Sequence, residues 1–181
     1  MVSFLLMIIL LIGIYTGARR GLVLQVVYTV GYTISFVVAA MYFGKLGPML
    51  EMYVPYPSAT QNSQLPFFDE SLKFSLDQAF YYGVAFVLIL FAGWLITRLV
   101  GGLFNRLTFA PLLKQINWIG GGLLGFITVY VGLFLILYLM SMLPITDLQN
   151  ALEKSFLAKF MIQHTPILSK QVYDWWIQTK I

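Results

Sequence analysis

Four stretches of the chain, Val2 to Ala18, Gly21 to Phe43, Ala79 to Leu99 and Ile119 to Leu143, carry no charged side chain except Arg98 at the end of the third. Each is near the length a helix needs to cross roughly 30 Å of hydrocarbon. Of 181 residues, 60% are apolar and only 10% charged, too much apolar surface for one small soluble core, so the solvent is largely lipid. The expected fold class is an all-α membrane protein with four transmembrane helices.

The first stretch has no basic residue ahead of its apolar core and no small-residue cleavage pattern, so it is expected to be retained as a helix rather than removed as a secretory signal. No cysteine is present, which excludes disulfides, thiolate metal sites and cysteine nucleophiles. The charges orient the chain. Arg19, Arg20, Arg98, Arg106 and Lys114 lie in or beside the two short connections after the first and third helices, with no acid beside them, whereas the lysines elsewhere are mixed with Asp and Glu. The positive-inside rule then gives two hairpins with both short connections in the cytoplasm and both termini outside, an N-out, C-out topology. The same five cations are the candidate contacts for lipid headgroups. Nucleic acid is not an expected partner, because the aromatics that would stack bases are spread through the apolar spans.

Residues 1–143 form the expected four-helix domain, with an external loop over 44–78, and residues 144–181 an extracytoplasmic amphipathic tail. Pro48, Pro55, Pro57 and Pro66, with the polar run Ser58 to Gln64, argue against a long helix in the first part of the loop. Ser75 or Asp77 is placed to cap the third helix, and Phe67, Phe68, Leu72 and Phe74 either dip into the interface or simply pack. In the tail, Thr165-Pro166 predicts a helix start with threonine as cap and proline at the first helical position. Leu168, Val172, Trp175 and Trp176 then fall on one stripe opposite Lys170, Gln171, Asp174 and Gln178. Two readings stand open for this helix: it lies on the membrane surface with Trp175 and Trp176 as interfacial anchors at headgroup depth, or it packs on the protein's own external loop.

Glycines recur every fourth residue at Gly13, Gly17 and Gly21, and again at Gly121 and Gly125. Small residues at this spacing bare the backbone on one helix face and let another helix approach closely, within the chain or between copies. The turn at Gly17 to Gly21 is expected to bring the first and second helices together. Gln25, Tyr28, Thr29 and Tyr32 share one side of the second helix as a polar seam, read as interhelical hydrogen bonding in preference to a pore. No Asp, Glu, Lys or His lies deep in a span, so the usual relay for proton coupling is missing. Asn105 and Asn117 are candidate loop caps. His164, the single histidine, stands in the tail with no carboxylate or nucleophile in a motif around it. The chain has no zinc helix, no nucleophile elbow and no phosphate loop, so no catalytic residue, cofactor or metal is expected.

An apolar first helix, Gly17-x-Arg19-Arg20-Gly21, a second helix ending in Ala39-Ala40, and Asn117-x3-Gly121-x3-Gly125 opening the last helix follow one another in order. In this order the chain resembles the CvpA family, the colicin V production proteins of bacterial cytoplasmic (inner) membranes, over roughly residues 1 to 143. Two positions depart from the family pattern: Ser3 stands where members often have aspartate, and Thr128-Val129 where a basic residue and glycine follow the last motif glycine. The resemblance implies a nonenzymatic multi-pass membrane protein that supports production or export of a peptide toxin (bacteriocin) and otherwise envelope homeostasis. Its expected partners are the lipid bilayer and either further copies of itself or another membrane protein. The alternative reading is a small oligomeric transporter or channel.

Overall fold

A computed structural model describes residues 1–57, 65–69, 72, 75–103 and 114–178, and the side chains of all of these but Lys114. Helices dominate: α1 (Val2–Arg20), α2 (Leu22–Leu50), α3 (Leu76–Leu103) and α4 (Lys114–Ser141) are long, and α5 (Thr146–Glu153), α6 (Phe156–His164) and α7 (Leu168–Trp176) are short. The fold is all-α, and the four long helices are long and apolar enough to cross a membrane. Their outer surfaces say the same. Leu11, Ile34, Leu99 and Leu123 are exposed, one on each helix, along with many other large apolar side chains that a water-soluble protein would bury.

Helices α2 and α3 run further than their uncharged cores. α2 continues through Pro48, although the prolines after residue 44 predict a loop there. A proline within a helix loses one hydrogen bond and presses its ring on the carbonyl four residues back. Here Pro48 sits in the last turn with its ring exposed, where only one backbone bond near the helix end is lost, so the helix tolerates it.

The described chain divides into two compact units: Met1–Leu6, Tyr42–Val87 and Phe134–Ile181 form one, and Met7–Met41 with Leu88–Leu133 the other. The tail, expected as a region of its own, falls in the first unit together with helix ends. Its order comes from hydrogen bonds that close those ends. A helix leaves its last four carbonyls without intrahelical partners. At the end of α4, Gln149 of α5 supplies the donor: its Nε2 lies 2.6 Å from the Leu143 carbonyl oxygen and 3.0 Å from that of Ser141. Ser155 caps α6, its Oγ accepting the Ala158 N–H, and shares a 2.8 Å hydrogen bond with the Ser3 hydroxyl at the start of α1. At α3 the capping acceptor is Asp77, whose Oδ1 takes the Gln78 N–H, while the Ser75 hydroxyl donates instead to the Leu72 carbonyl.

The hydroxyl of Thr165 closes α6 rather than opening α7, donating to the Met161 carbonyl at 2.6 Å. The residue before α7 is Ile167, with φ 66° and no side-chain cap. In place of one interfacial helix, the tail thus folds as three short helices.

Tyr56 ties the loop to this unit. Its hydroxyl donates to the Met142 carbonyl at 2.9 Å and its ring packs on Phe80. Burial raises its phenol to about 12, with Asp77 and then Tyr81 adding to the shift.

Candidate functional site

In the second unit the glycines of α1 and α4 face one another. A Cβ added at Gly17 would fall on the Gly121 carbonyl oxygen and 2.8 Å from the Gly125 Cα; one at Gly121 would lie 2.5 Å from the Gly17 oxygen, and one at Gly125 2.5 Å from the Gly13 oxygen. All five motif glycines are buried. The two backbones approach so closely that no side chain fits between them. The neighbour is α4, not α2 as the sequence suggested, because two glycine faces of the same four-residue period stack in register.

Gly21 ends this face and turns the chain. Its φ of 79° lies in the left-handed region that side chains disfavour, and it serves α1 as the residue past the C-terminus and α2 as the residue before the N-terminus. Asn117 lies against it. A Cβ at Gly21 would meet the Asn117 amide at 2.6 Å, and Asn117 Oδ1 accepts the Leu22 N–H at 2.7 Å, satisfying the first orphan donor of α2. Asn117 is therefore a cap, supplied from within α4 to another helix. Asn105, the other candidate cap, lies outside the described residues.

A second small-residue contact joins α2 to α3. A Cβ on Gly31 would collide with Thr97 and one on Gly93 with Ser35, and Gly101 makes room for the Tyr28 ring. Its sequence signal is Gly31-x3-Ser35 and Gly93-x3-Thr97-x3-Gly101, with the same spacing as the α1 glycines but with serine and threonine among them.

Among the described residues, the threonine and serine hydroxyls along α2 and α4 bond within their own helices. Thr29 donates to the Gln25 carbonyl, Thr33 to that of Thr29, Ser35 to that of Gly31 and Thr128 to that of Leu124, each within its own helix. Gln25 differs: it is 2% exposed and its Oε1 has no hydrogen-bond partner. The arginines lean on aromatic faces. Arg20 stands 4.7 Å from the centre of the Tyr28 ring, Arg19 5.8 Å from Tyr15 and Arg98 5.2 Å from Trp94, contacts that hold the charges over aromatic rings. Arg106 and the Lys114 side chain lie outside the described residues, as do residues 58–64 and Phe74.

In the first unit the two tryptophans join an aromatic cluster. Trp176 is 1% exposed and packs on Phe86 and Tyr138; Trp175 packs on Phe43 and Phe86. Gly83 makes the space, since a Cβ there would reach Trp176 at 2.8 Å. Headgroup anchoring by Trp176 is thus corrected: the apolar stripe of α7 turns inward, where α3 and α4 offer aromatic partners. Of the loop aromatics, Phe68 packs edge-on to Tyr138. His164 is exposed and stacks on Phe160. Among the described residues, no cluster of His, Asp and Glu could hold a metal.

The fold and these contacts define a multi-pass α-helical membrane protein assembled on close backbone contacts. Residues 2–166 match the family described as colicin V production protein, and the chain belongs to that family. It is 33% identical over 180 residues to an uncharacterized transmembrane protein, YshB, of Bacillus subtilis (strain 168), covering 98% of each chain. No solved structure matches it. Membership makes it a nonenzymatic protein of the bacterial cytoplasmic membrane linked to colicin V production.

Proposed function

We propose that the chain is an accessory protein of toxin production or export and of envelope homeostasis, arranged as two transmembrane hairpins with both termini and the 144–181 tail outside. The family match over residues 2–166 carries the functional part of this reading. The cations clustered around the two short connections support the topology. Gly13, Gly17, Gly21, Gly121 and Gly125 are the packing residues that join α1 to α4, and the exposed apolar faces of the long helices are offered to lipid, another copy or a membrane partner. Arg19, Arg20, Arg98, Arg106 and Lys114 face the cytoplasmic headgroups.

The functional test is deletion of the gene in a toxin-exporting host followed by complementation with this chain. Toxin in the medium is expected to fall on deletion and return on complementation; unchanged toxin would overturn the reading. For the topology, Arg19→Cys is expected to resist an impermeant thiol reagent applied to whole cells and Glu51→Cys to react, and the reverse labelling would invert the orientation.

A second reading, a small oligomeric transporter or channel, rests on the polar side chains of α2 around Gln25, whose Oε1 is buried and has no hydrogen-bond partner among the described residues. Solute flux through the purified chain in liposomes, lost in Gln25→Leu, is the outcome that would establish it.

A further inference from the structure

Helix α6 carries apolar side chains on two opposite sides. Ala158, Met161 and Ile162 are buried against the protein, as an amphipathic helix requires. The opposite side carries Phe156 and Phe160, stacked 6.4 Å apart, with Phe156 80% exposed. Lys159, Gln163 and His164 are exposed beside them, His164 stacked on the Phe160 ring, so the outward side mixes two phenyl rings with three polar side chains. A surface helix facing water places its polar residues opposite its buried face, and this one sets two exposed phenyl rings among them.

The depth of this helix is set by one hydrogen bond. Ser155, the cap of α6, meets Ser3 in the first turn of α1, and the next residue of that span, Phe4, is 68% exposed. The outward apolar surface of α1 and that of α6 therefore begin at the same level. Since α1 crosses the bilayer, the start of α6 stands where hydrocarbon gives way to headgroups.

The exit of α6 repeats the pattern. Pro166, Ile167 and Leu168 form a tight turn in which the Leu168 N–H donates to the Pro166 carbonyl at 2.7 Å and Ile167 takes φ 66°, ψ −53°. This three-residue turn is rare and strained, the more so with a β-branched residue at its centre. Hydroxyl bonds from Thr165 to Met161 and from Ser169 to Ile162 clamp it on both sides. Its product is an Ile167 side chain that is 80% exposed.

We infer that the outer face of α6, Phe156 and Phe160 with Ile167 beyond them, lies in the boundary between headgroups and acyl chains, and that phospholipid covers it. α6, and not α7, is then the in-plane membrane element of the tail. Lys159 beside the two rings, and Lys154 just before the cap, are exposed and reach headgroup phosphates by snorkelling, while Glu153 beside Lys154 tempers that charge. The inference requires only that α1 spans the bilayer, and it is independent of which side the tail occupies.

The test uses the full chain, which has no cysteine of its own. Phe156→Cys, Phe160→Cys and Ile167→Cys, with Asp147→Cys on α5 as a water-facing control, are labelled with an environment-sensitive fluorophore. Each is reconstituted in phosphatidylcholine and phosphatidylglycerol vesicles, and the native emission of the tryptophans checks that each variant is folded. Labels at 156, 160 and 167 are expected to lose emission to a nitroxide carried high on the lipid acyl chain and to be shielded from aqueous iodide, the reverse of the label at 147. Iodide quenching at 156 and 160 would show a face in water. Shielding there from both quenchers would show a second copy covering it. Either result overturns the inference.

Discussion

A single methyl group at Gly17 tests whether α1 and α4 meet backbone to backbone. An alanine Cβ there stands 2.8 Å from the Gly125 Cα and 3.1 Å from its nitrogen, and closer still to the Gly121 oxygen. Ordinary contact begins at 3.4 Å, so the Gly125 Cα alone is short by 3.4 − 2.8 = 0.6 Å. The obstructing atoms are backbone and have no rotamer to escape into, so the helices must separate. Overpacking of this kind costs about 1–3 kcal/mol, and parting the helices also forfeits dispersion contacts along the seam. Two controls share the chemistry without the clash. Gly122→Ala places its Cβ 3.5 Å from the Ala18 Cβ, an ordinary contact, and Gly132→Ala meets open space. Both are expected to fall within about 0.5 kcal/mol of the parent. Reversible unfolding of the full chain in mixed micelles, followed by tryptophan fluorescence, gives the comparison. If Gly17→Ala unfolds with the same midpoint as Gly122→Ala, the close α1–α4 approach is refuted.

Other perturbations address the tail. Gln149→Leu removes the donor that serves the Leu143 and Ser141 carbonyls and is expected to cost about 1–3 kcal/mol in the same unfolding assay; Gln149→Glu, which sets an acceptor against those carbonyls, should cost more at neutral pH, and the opposite order would contradict the capping role. Trp176→Ala empties the pocket beside Gly83 and should destabilise by about 3–5 kcal/mol, as a buried tryptophan does and an interfacial one does not. Because the folded Tyr56 phenol titrates at about 12 against the ordinary 10, the unfolded chain loses its proton first. Stability is therefore expected to fall between those values as pH rises, and Tyr56→Phe should flatten that part of the pH profile.

The four spans were legible because crossing hydrocarbon demands long uncharged runs, a constraint written directly in residues 2–18, 21–43, 79–99 and 119–143. Their ends were less so. Pro48 does not stop α2 because it falls in the last turn, where a missing N–H costs little. The spacing of Gly13, Gly17, Gly121 and Gly125 marked bare backbone but not its partner, since any glycine face suits any other until the register of the helices is known. The same ignorance hid Gly31 and Gly93, whose neighbours Ser35 and Thr97 are small without being glycine. The stripe of Trp175 and Trp176 leaves anchoring and packing both open, because an amphipathic stripe looks alike whether its apolar side meets lipid or protein. Deciding between them took Phe43, Phe86 and Tyr138, which are distant in sequence. Asn117 is similar: its amide caps Leu22, 95 residues away, and no local pattern announces that bond.

The account rests most on α1 lying against α4 within one chain, and a disulfide reads that directly. The Ala18 Cβ and a Cβ built on Gly122 are 3.5 Å apart, inside the range a disulfide spans. In native membranes, the double variant Ala18→Cys/Gly122→Cys should oxidise to an intramolecular bond, detected as a single chain whose fragments stay joined after cleavage between the two sites until reduced. Fragments that separate without reductant, or a bond formed only between copies, would contradict it and assign the glycine faces to self-association instead.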